Sequence, residues 1–217
     1  MRRLQRGFGL LEALLALVIG LMLMAAVSEL FVSAHQAWRL QGAAARMQDD
    51  ARVALLHMAQ DIRMAGMFGC LRLQPGDFRD PAARQAFGRP VEVSRSGLTV
   101  VVAQLPGYDG KPDWTLQTDC ISEVHIGSGL VAGNERLWSY AISRHTYQLS
   151  GTTLRFKRGS NTSFQPLIDH VHEIRFEHVP AQEGERVDIA LTLFDPAMGL
   201  KQQYEMSVAI RNPVSEP

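Results

Sequence analysis

The sequence lacks net charge, several common catalytic and metal-binding motifs, and any proline between Phe8 and Ala65. Its 22 basic side chains balance its 22 acidic ones, so net charge predicts no nucleic-acid or membrane-surface partner. It contains no Gly-x-Ser-x-Gly turn and no EF-hand series of oxygen ligands. These absences exclude hydrolases built on that turn and EF-hand calcium proteins. We expect no catalytic residue, no metal and no cofactor.

The longest hydrophobic run has almost no charge. Residues 8–27 are all apolar or Gly except Glu12, and about 20 such residues cross a bilayer as a helix. An ionisable side chain within a membrane helix costs roughly 2.5–3.5 kcal/mol on insertion scales, so it marks a function by default. Glu12 is therefore predicted to acquire a cationic partner. The alternative is that Glu12 only tolerates the membrane interface, where the start of a helix favours acids.

Basic residues come before this run and no acid does. Arg2, Arg3 and Arg6 predict a cytoplasmic amino terminus, with the rest of the chain on the other side of the membrane. An ordinary secretory signal has an apolar core of about 7–15 residues followed by a small-residue cleavage site. This core is longer, and residues 28–31 do not look like such a site. We expect the apolar segment to remain attached to the mature protein.

The residues around Gly7 supply a different processing signal. Gly7, Phe8 and Glu12, placed after a basic leader and at the start of the apolar run, resemble the class III signal of type IV pilins and pseudopilins. The resemblance implies cleavage after Gly7 by a prepilin peptidase and methyltransferase, and N-methylation of Phe8. It also implies that Glu12 pairs with the Phe8 amine of a neighbouring subunit as the helix joins a filament.

Helix signals continue beyond the membrane segment. Residues 29–65 contain Gly42 but no proline, and good helix formers predominate. Polar residues are assigned to the other faces of the helix: Gln48, Asp50, Arg52, Gln60, Asp61 and Arg63. Apolar residues recur every three or four positions and form one stripe: Met47, Ala51, Leu55, Met58, Ile62 and Ala65. We predict one continuous helix from about Phe8 to Ala65, ending before Gly66 and Gly69.

The remainder of the sequence predicts a β-rich domain. An arginine-rich stretch between Arg72 and Arg95 has no nucleic-acid-binding signature and is assigned to a solvated loop, so no direct nucleic-acid contact is expected. Strand patterns follow at 98–103, 120–126, 137–144, 153–157, 171–179, 187–194 and 204–210. Several alternate apolar and polar residues, which is typical of an antiparallel sheet with one covered face. The amphipathic half of the helix is the expected cover.

The predicted organisation is a pilin-like α+β fold. The segments are a cleaved leader (1–7), a membrane-spanning and filament-core helix (8–28), its amphipathic periplasmic half (29–66) and a β-rich domain (67–217). Cys70 and Cys120 fall outside the cytoplasm, where disulfides persist, and we expect them to bond. His170, His172 and His178 share strand parity and could approach a metal, but Ile174 and Phe176 share that face. We therefore assign the histidines to the edge of a core.

Three further segments are similar to PilW-type minor pilins: 61–70, 167–176 and 208–212. The absence of proline in the membrane helix, and of a cysteine pair near the carboxyl terminus, departs from major pilins. The resemblance implies assembly of a pilus through contacts with other minor pilins, the major pilin and the inner-membrane assembly platform, with later display on the cell surface. The alternatives are a J-type minor pseudopilin of type II secretion and, more remotely, a signal-anchored periplasmic binding protein.

Overall fold

The computed structural model describes most of the chain. The described residues are 9–70, 73–94, 97–104, 110–133, 136–160, 162–180 and 184–212, without the side chain of Pro75. They divide into two compact units, Met1–Arg46 and Met47–Pro217. The predicted cleavage and methylation residues, Gly7 and Phe8, lie outside the described residues.

A single long helix, α1, covers Leu10–Met64. No proline interrupts it, and two glycines follow its last turn. Gly66 and Gly69 have φ angles of +76° and +97°, a region that favours glycine and ends the helical path. The Asn212 side-chain amide donates to the carbonyl oxygens of Arg63 and Ala65, both at 3.5 Å. These contacts join the end of α1 to the segment that follows the last described strand, which ends at Ala209.

The described residues after α1 form a 3-10 turn, a short helix and ten strands. A 3-10 turn at Pro75–Asp77 precedes helix α2, Pro81–Gly88. The first five strands are β1 (Val91–Ser94), β2 (Gly97–Ala103), β3 (Trp114–Thr118), β4 (Val124–Ser128) and β5 (Trp138–Ser150). The other five are β6 (Thr153–Arg158), β7 (Gln165–Ile168), β8 (Val171–Val179), β9 (Arg186–Asp195) and β10 (Leu200–Ala209).

All strand pairs are antiparallel and form two sheets. The larger sheet has seven strands in the order β1-β2-β5-β3-β4, with β6 paired to β5 and β7 paired to β6. The long strand β5 organises this sheet, because its first half pairs with β3 and its second half with β6. The smaller sheet has the order β10-β9-β8.

The apolar stripe predicted on α1 is the centre of the main core. Its residues Met47, Ala51, Leu55, Met58, Ile62 and Ala65 are all buried, together with apolar residues from both sheets. Strand β2 is buried on both faces: Val100 packs in this core and Val101 in a second core beside α2. The α+β architecture predicted from the sequence, a long helix followed by antiparallel sheets, is therefore confirmed and is consistent with a pilin-like fold.

Several details differ from the sequence prediction. The arginine-rich stretch is not only a loop, since it contains α2 and β1. Asp80 caps α2 by accepting a hydrogen bond from the Ala82 N–H at 2.9 Å, and Pro81 occupies the first helical turn, where its missing N–H costs nothing. Strand β4 starts at Val124 and not at residue 120, because a turn precedes it. Strands β1, β3 and β7 were not predicted.

Candidate functional site

Glu12 lies in the first turn of an exposed apolar helix. Its backbone N–H donates to the Gly9 carbonyl oxygen at 3.0 Å, which begins the helical hydrogen bonding. Its carboxylate makes no hydrogen bond or ion pair with any residue that the structure describes. The side chains around it, including Leu10, Leu11 and Leu15, are exposed. Glu12 is thus a single carboxylate on an apolar surface, available to a partner outside this chain.

The exposed apolar surface continues along α1 well past Glu12. Described residues 9–41 are all exposed, and they include Leu23, Val27 and Phe31. Within the part of the chain that the structure describes, α1 is the one helix long and apolar enough to span a membrane. An apolar surface of this extent marks a lipid or protein contact, because soluble monomers seldom expose one.

A disulfide ties the segment after α1 to the β3–β4 turn. Cys70 and Cys120 are joined with their Cα atoms 5.4 Å apart. The turn is also held by Asp119, whose Oδ1 atom accepts the backbone N–H groups of Ile121, Ser122 and Glu123, each at 2.9 Å. These bonds favour the carboxylate, with the Glu123 N–H contributing most, and lower the pKa of Asp119 to about 2.

A buried polar cluster joins α1 to β5 inside the larger unit. We define the Asp61 cluster as His57, Asp61, His145 and Tyr147. Asp61 Oδ2 accepts a hydrogen bond from the Tyr147 hydroxyl at 2.5 Å and lies 2.7 Å from His145 Nδ1. The Tyr147 oxygen is also 2.6 Å from His57 Nδ1. Asp61 was assigned to another face of the helix by the sequence analysis, but only 8% of its surface is exposed.

The hydrogen bonds assign donors within this cluster. Tyr147 has one hydroxyl hydrogen, which it donates to Asp61, so His57 Nδ1–H must donate to the Tyr147 oxygen. The Gln104 amide nitrogen lies 3.3 Å from His145 Nε2. The Asp61 carboxylate, the Tyr147 hydroxyl and the His145 ring therefore each have a partner from another element, as burial requires.

Burial controls the proton affinities that the cluster shows. Burial raises the pKa of the Tyr147 hydroxyl, and the nearby Asp61 charge raises it further. Burial also lowers the pKa of His57; the Asp61 carboxylate opposes this change, while the positive charge of Arg158 adds to it. Phe156 forms the apolar wall, with its ring centroid 4.8 Å from that of His57 and 4.9 Å from that of Tyr147.

Sequence spacing contained a signal for this cluster. His57 and Asp61 are four residues apart and share a helix face, while His145 and Tyr147 are two residues apart and share a strand face. What could not be read from the spacing is that the two faces meet. The hydrogen bonds of the cluster hold α1 on β5.

His172 and His178 do not lie in the core beside Ile174 and Phe176, and His170 precedes β8 with a φ of +61°. A bulge between Val171 and Glu173 shifts the strand parity, so Ile174 and Phe176 are buried whereas His172 is exposed. His178 is also exposed, with its Nε2 atom 3.2 Å from Glu185 Oε1. Among the described residues, no group of three or more His, Cys, Asp or Glu side chains is placed to hold a metal.

Comparison with known proteins identifies the amino-terminal segment. Residues 2–28 match the family model described as the prokaryotic N-terminal methylation motif. The matched residues include the leader, Gly7, Phe8, Glu12 and the apolar run. No curated protein and no solved structure matches this chain. The motif, the exposed apolar helix in which Glu12 is the one charge between residues 9 and 27, and the antiparallel β-rich unit together support a protein of the pilin or pseudopilin type.

Proposed function

We propose that this chain is a minor pilin of a type IV pilus, of the PilW type, that helps to start filament assembly through protein–protein contacts. One observation carries the proposal: a single carboxylate, Glu12, lies near the start of an exposed apolar helix, within the matched methylation motif. A carboxylate is costly in lipid and becomes favourable beside an opposite charge. This pattern suits a helix that leaves the membrane and packs into a filament.

Processing supplies the opposite charge in this proposal. A prepilin peptidase removes residues 1–7 by cutting after Gly7, and the new amino terminus at Phe8 is methylated. The Phe8 amine of one subunit then pairs with Glu12 of its neighbour. Residues 8–28 form the membrane and filament-core segment, 29–66 the amphipathic half of the helix, and 67–217 the β-rich domain.

Location and partners follow from the same proposal. The leader faces the cytoplasm and the β-rich domain faces the periplasm, with the chain anchored once in the inner membrane before it reaches the pilus. Its partners are the processing enzyme, the inner-membrane assembly platform, other minor pilins and the major pilin. We assign no reaction to the chain. The polar side chains of the Asp61 cluster form hydrogen bonds that join α1 to β5.

The assembly role is tested by changing Glu12 and counting incorporation. Glu12→Val should leave membrane insertion intact and remove the partner of the buried amine, so the variant should be depleted from sheared pili. Glu29→Val is the matched control, because Glu29 is the next acid along the same helix and is also exposed. Equal incorporation of the two variants would contradict the proposed role of Glu12.

Deletion of this protein from the cell distinguishes a role in a type IV pilus from a role in type II secretion. A minor pilin that starts assembly is needed in few copies, so its loss should reduce the number of pili and leave the diameter of the remaining ones unchanged. Blocking retraction should partly restore the number. If deletion instead leaves piliation intact and stops the export of folded periplasmic enzymes, the chain is a J-type minor pseudopilin.

A further inference from the structure

Strand β10 is a long edge strand with one open side. All ten of its residues, Leu200–Ala209, pair with β9 in one unbroken register. Within the described chain, no strand or isolated bridge pairs with its other edge. Alternate backbone N–H and C=O groups on that side therefore point away from β9. Such an edge is a template for one more strand.

The two edges of the small sheet differ in how they are protected. Strand β8, on the opposite edge, has a bulge between Val171 and Glu173, and a bulge disrupts the regular pairing pattern. Strand β10 has neither a bulge nor a proline, two of the features that usually block an edge. The open edge of β10 is therefore competent for regular pairing over its full length.

Apolar side chains on the covered face of β10 have no neighbouring strand at the open edge among the described residues. Leu200, Tyr204 and Met206 pack against the main core but are only partly buried. Their register partners on β9 shield them from one direction only. A further strand beside β10 would cover these three side chains and so would add apolar burial to the backbone hydrogen bonds.

The charged residues on the exposed face of β10 indicate which strand pairs with its open edge. Lys201 and Glu205 are both exposed and are separated by Gln203, so the sequence is complementary to itself when it runs antiparallel. We propose that β10 pairs with β10 of a second copy of this chain, with Gln203 facing its own counterpart. Lys201 of each copy then faces Glu205 of the other, which gives two opposite-charge cross-strand pairs.

Other antiparallel registers of the β10–β10 pair are less favourable. Centring the pair on Lys201 or on Glu205 would place like charges opposite each other. Centring on Gln202 or Tyr204 would lose both opposite-charge pairs. A register that pairs exposed with covered residues would turn the apolar face of the second sheet towards solvent. In the proposed register Leu200 faces Met206, so the partly buried apolar side chains meet across the new pair.

This inference depends on strand register and charge and not on the proposed function, so either can fail alone. It is tested with the full chain in detergent micelles by cysteine crosslinking. Both native cysteines are in the disulfide, so an added cysteine is the one free thiol. Gln203→Cys places two thiols directly opposite each other across the proposed pair, within reach of a disulfide. Arg175→Cys, exposed on β8 of the same sheet, is the matched control.

Oxidation should convert Gln203→Cys to a covalent dimer and leave Arg175→Cys monomeric. Adding Lys201→Glu to the Gln203→Cys chain should weaken the pairing by about tenfold, because two attractive pairs become repulsive. Adding Glu205→Lys as well should restore it. Equal crosslinking at both positions, no crosslinking at position 203, or a dimer indifferent to the charge reversals would overturn the inference.

Discussion

Asp61 and His145 are 84 residues apart in the chain, and Asp61 Oδ2 lies 2.7 Å from His145 Nδ1. This contact fastens the last turns of α1 to the central strand of the larger sheet. Its partners Tyr147 and His57 extend the contact into a network: the Asp61 carboxylate accepts from His145 and Tyr147 of β5, and the Tyr147 oxygen accepts from His57 of α1. If the Asp61 side chain were removed, the His145 ring and the Tyr147 hydroxyl would lose this hydrogen-bond partner inside the protein. If they were removed, the buried carboxylate would be left without donors.

We predict that Asp61→Ala destabilises the β-rich unit by about 2–5 kcal/mol, because it leaves the Tyr147 hydroxyl and the His145 N–H unsatisfied in a buried site. Asp50→Ala is the control: Asp50 is exposed on the same helix, and its loss should change stability by about 0.5 kcal/mol or less. Urea unfolding of the full chain in micelles, followed by tryptophan fluorescence, measures both. Equal midpoints for the two variants would contradict the network's role.

The lowered pKa of His57 gives stability a pH dependence. The folded protein binds the His57 proton less readily than the unfolded chain does, whose histidines have the ordinary pKa of 6.5. The contribution of His57 is therefore present above pH 6.5 and is lost as the pH falls from there towards the folded pKa. The urea midpoint should decrease between pH 7.5 and 5.5, and His57→Gln should show a smaller decrease. His172→Gln, which changes an exposed histidine, should behave like the unaltered chain.

The helix and the last three strands could be predicted because periodicity identifies them. The stripe from Met47 to Ala65 follows the helical repeat, and the strand residues Val187, Ile189 and Leu191 follow the two-residue repeat. Strand β3 was missed although Trp114 and Leu116 alternate with polar residues; the strand has only five residues, and all of them are buried, the polar ones included. Helix α2 has a start signal in Asp80 and Pro81, which the assignment of this stretch to a solvated loop missed.

The candidate functional residues also include some that the sequence predicts and some that it does not. Gly7, Phe8 and Glu12 form a local pattern with a fixed spacing, and a sequence can display such a pattern completely. The Asp61 cluster depends on which strand face meets the helix, and that choice is made by long-range packing. Aspartate residues are usually exposed to solvent, so the residue type predicted an exposed Asp61, whereas the side chain is buried.

Gly66 provides a test of how α1 ends. A Cβ atom at this position would lie 2.2 Å from the Asn212 carbonyl oxygen, and the φ angle of +76° disfavours other residues. We expect Gly66→Ala to destabilise the unit by about 1–3 kcal/mol. Gly151→Ala is the control, because Gly151 has a φ of +63° and nothing within 4 Å of a Cβ. The difference between the two urea midpoints measures the clash; identical midpoints would show that Asn212 does not constrain this turn.

The disulfide between Cys70 and Cys120 gives a further test of the stability of the β-rich unit. Removal of the crosslink between Cys70 and Cys120, 50 residues apart, should cost about 4 kcal/mol on the chain-entropy model. Cys70→Ser and Cys120→Ser should therefore lower the urea midpoint by similar amounts. In protein isolated without reductant, alkylation should modify neither thiol until a reductant is added. Two thiols that react at once would contradict an oxidised pair in the mature protein.

We propose that this chain is processed as a pilin-type subunit by cleavage between Gly7 and Phe8. Amino-terminal sequencing and mass measurement of the protein purified from membranes test it most directly. The account predicts a mature chain that begins with N-methylated Phe8, and a full-length chain for Gly7→Val, whose branched side chain replaces the small residue at the cut. A wild-type chain that still begins with Met1, or a Gly7→Val chain that begins with Phe8, would contradict it.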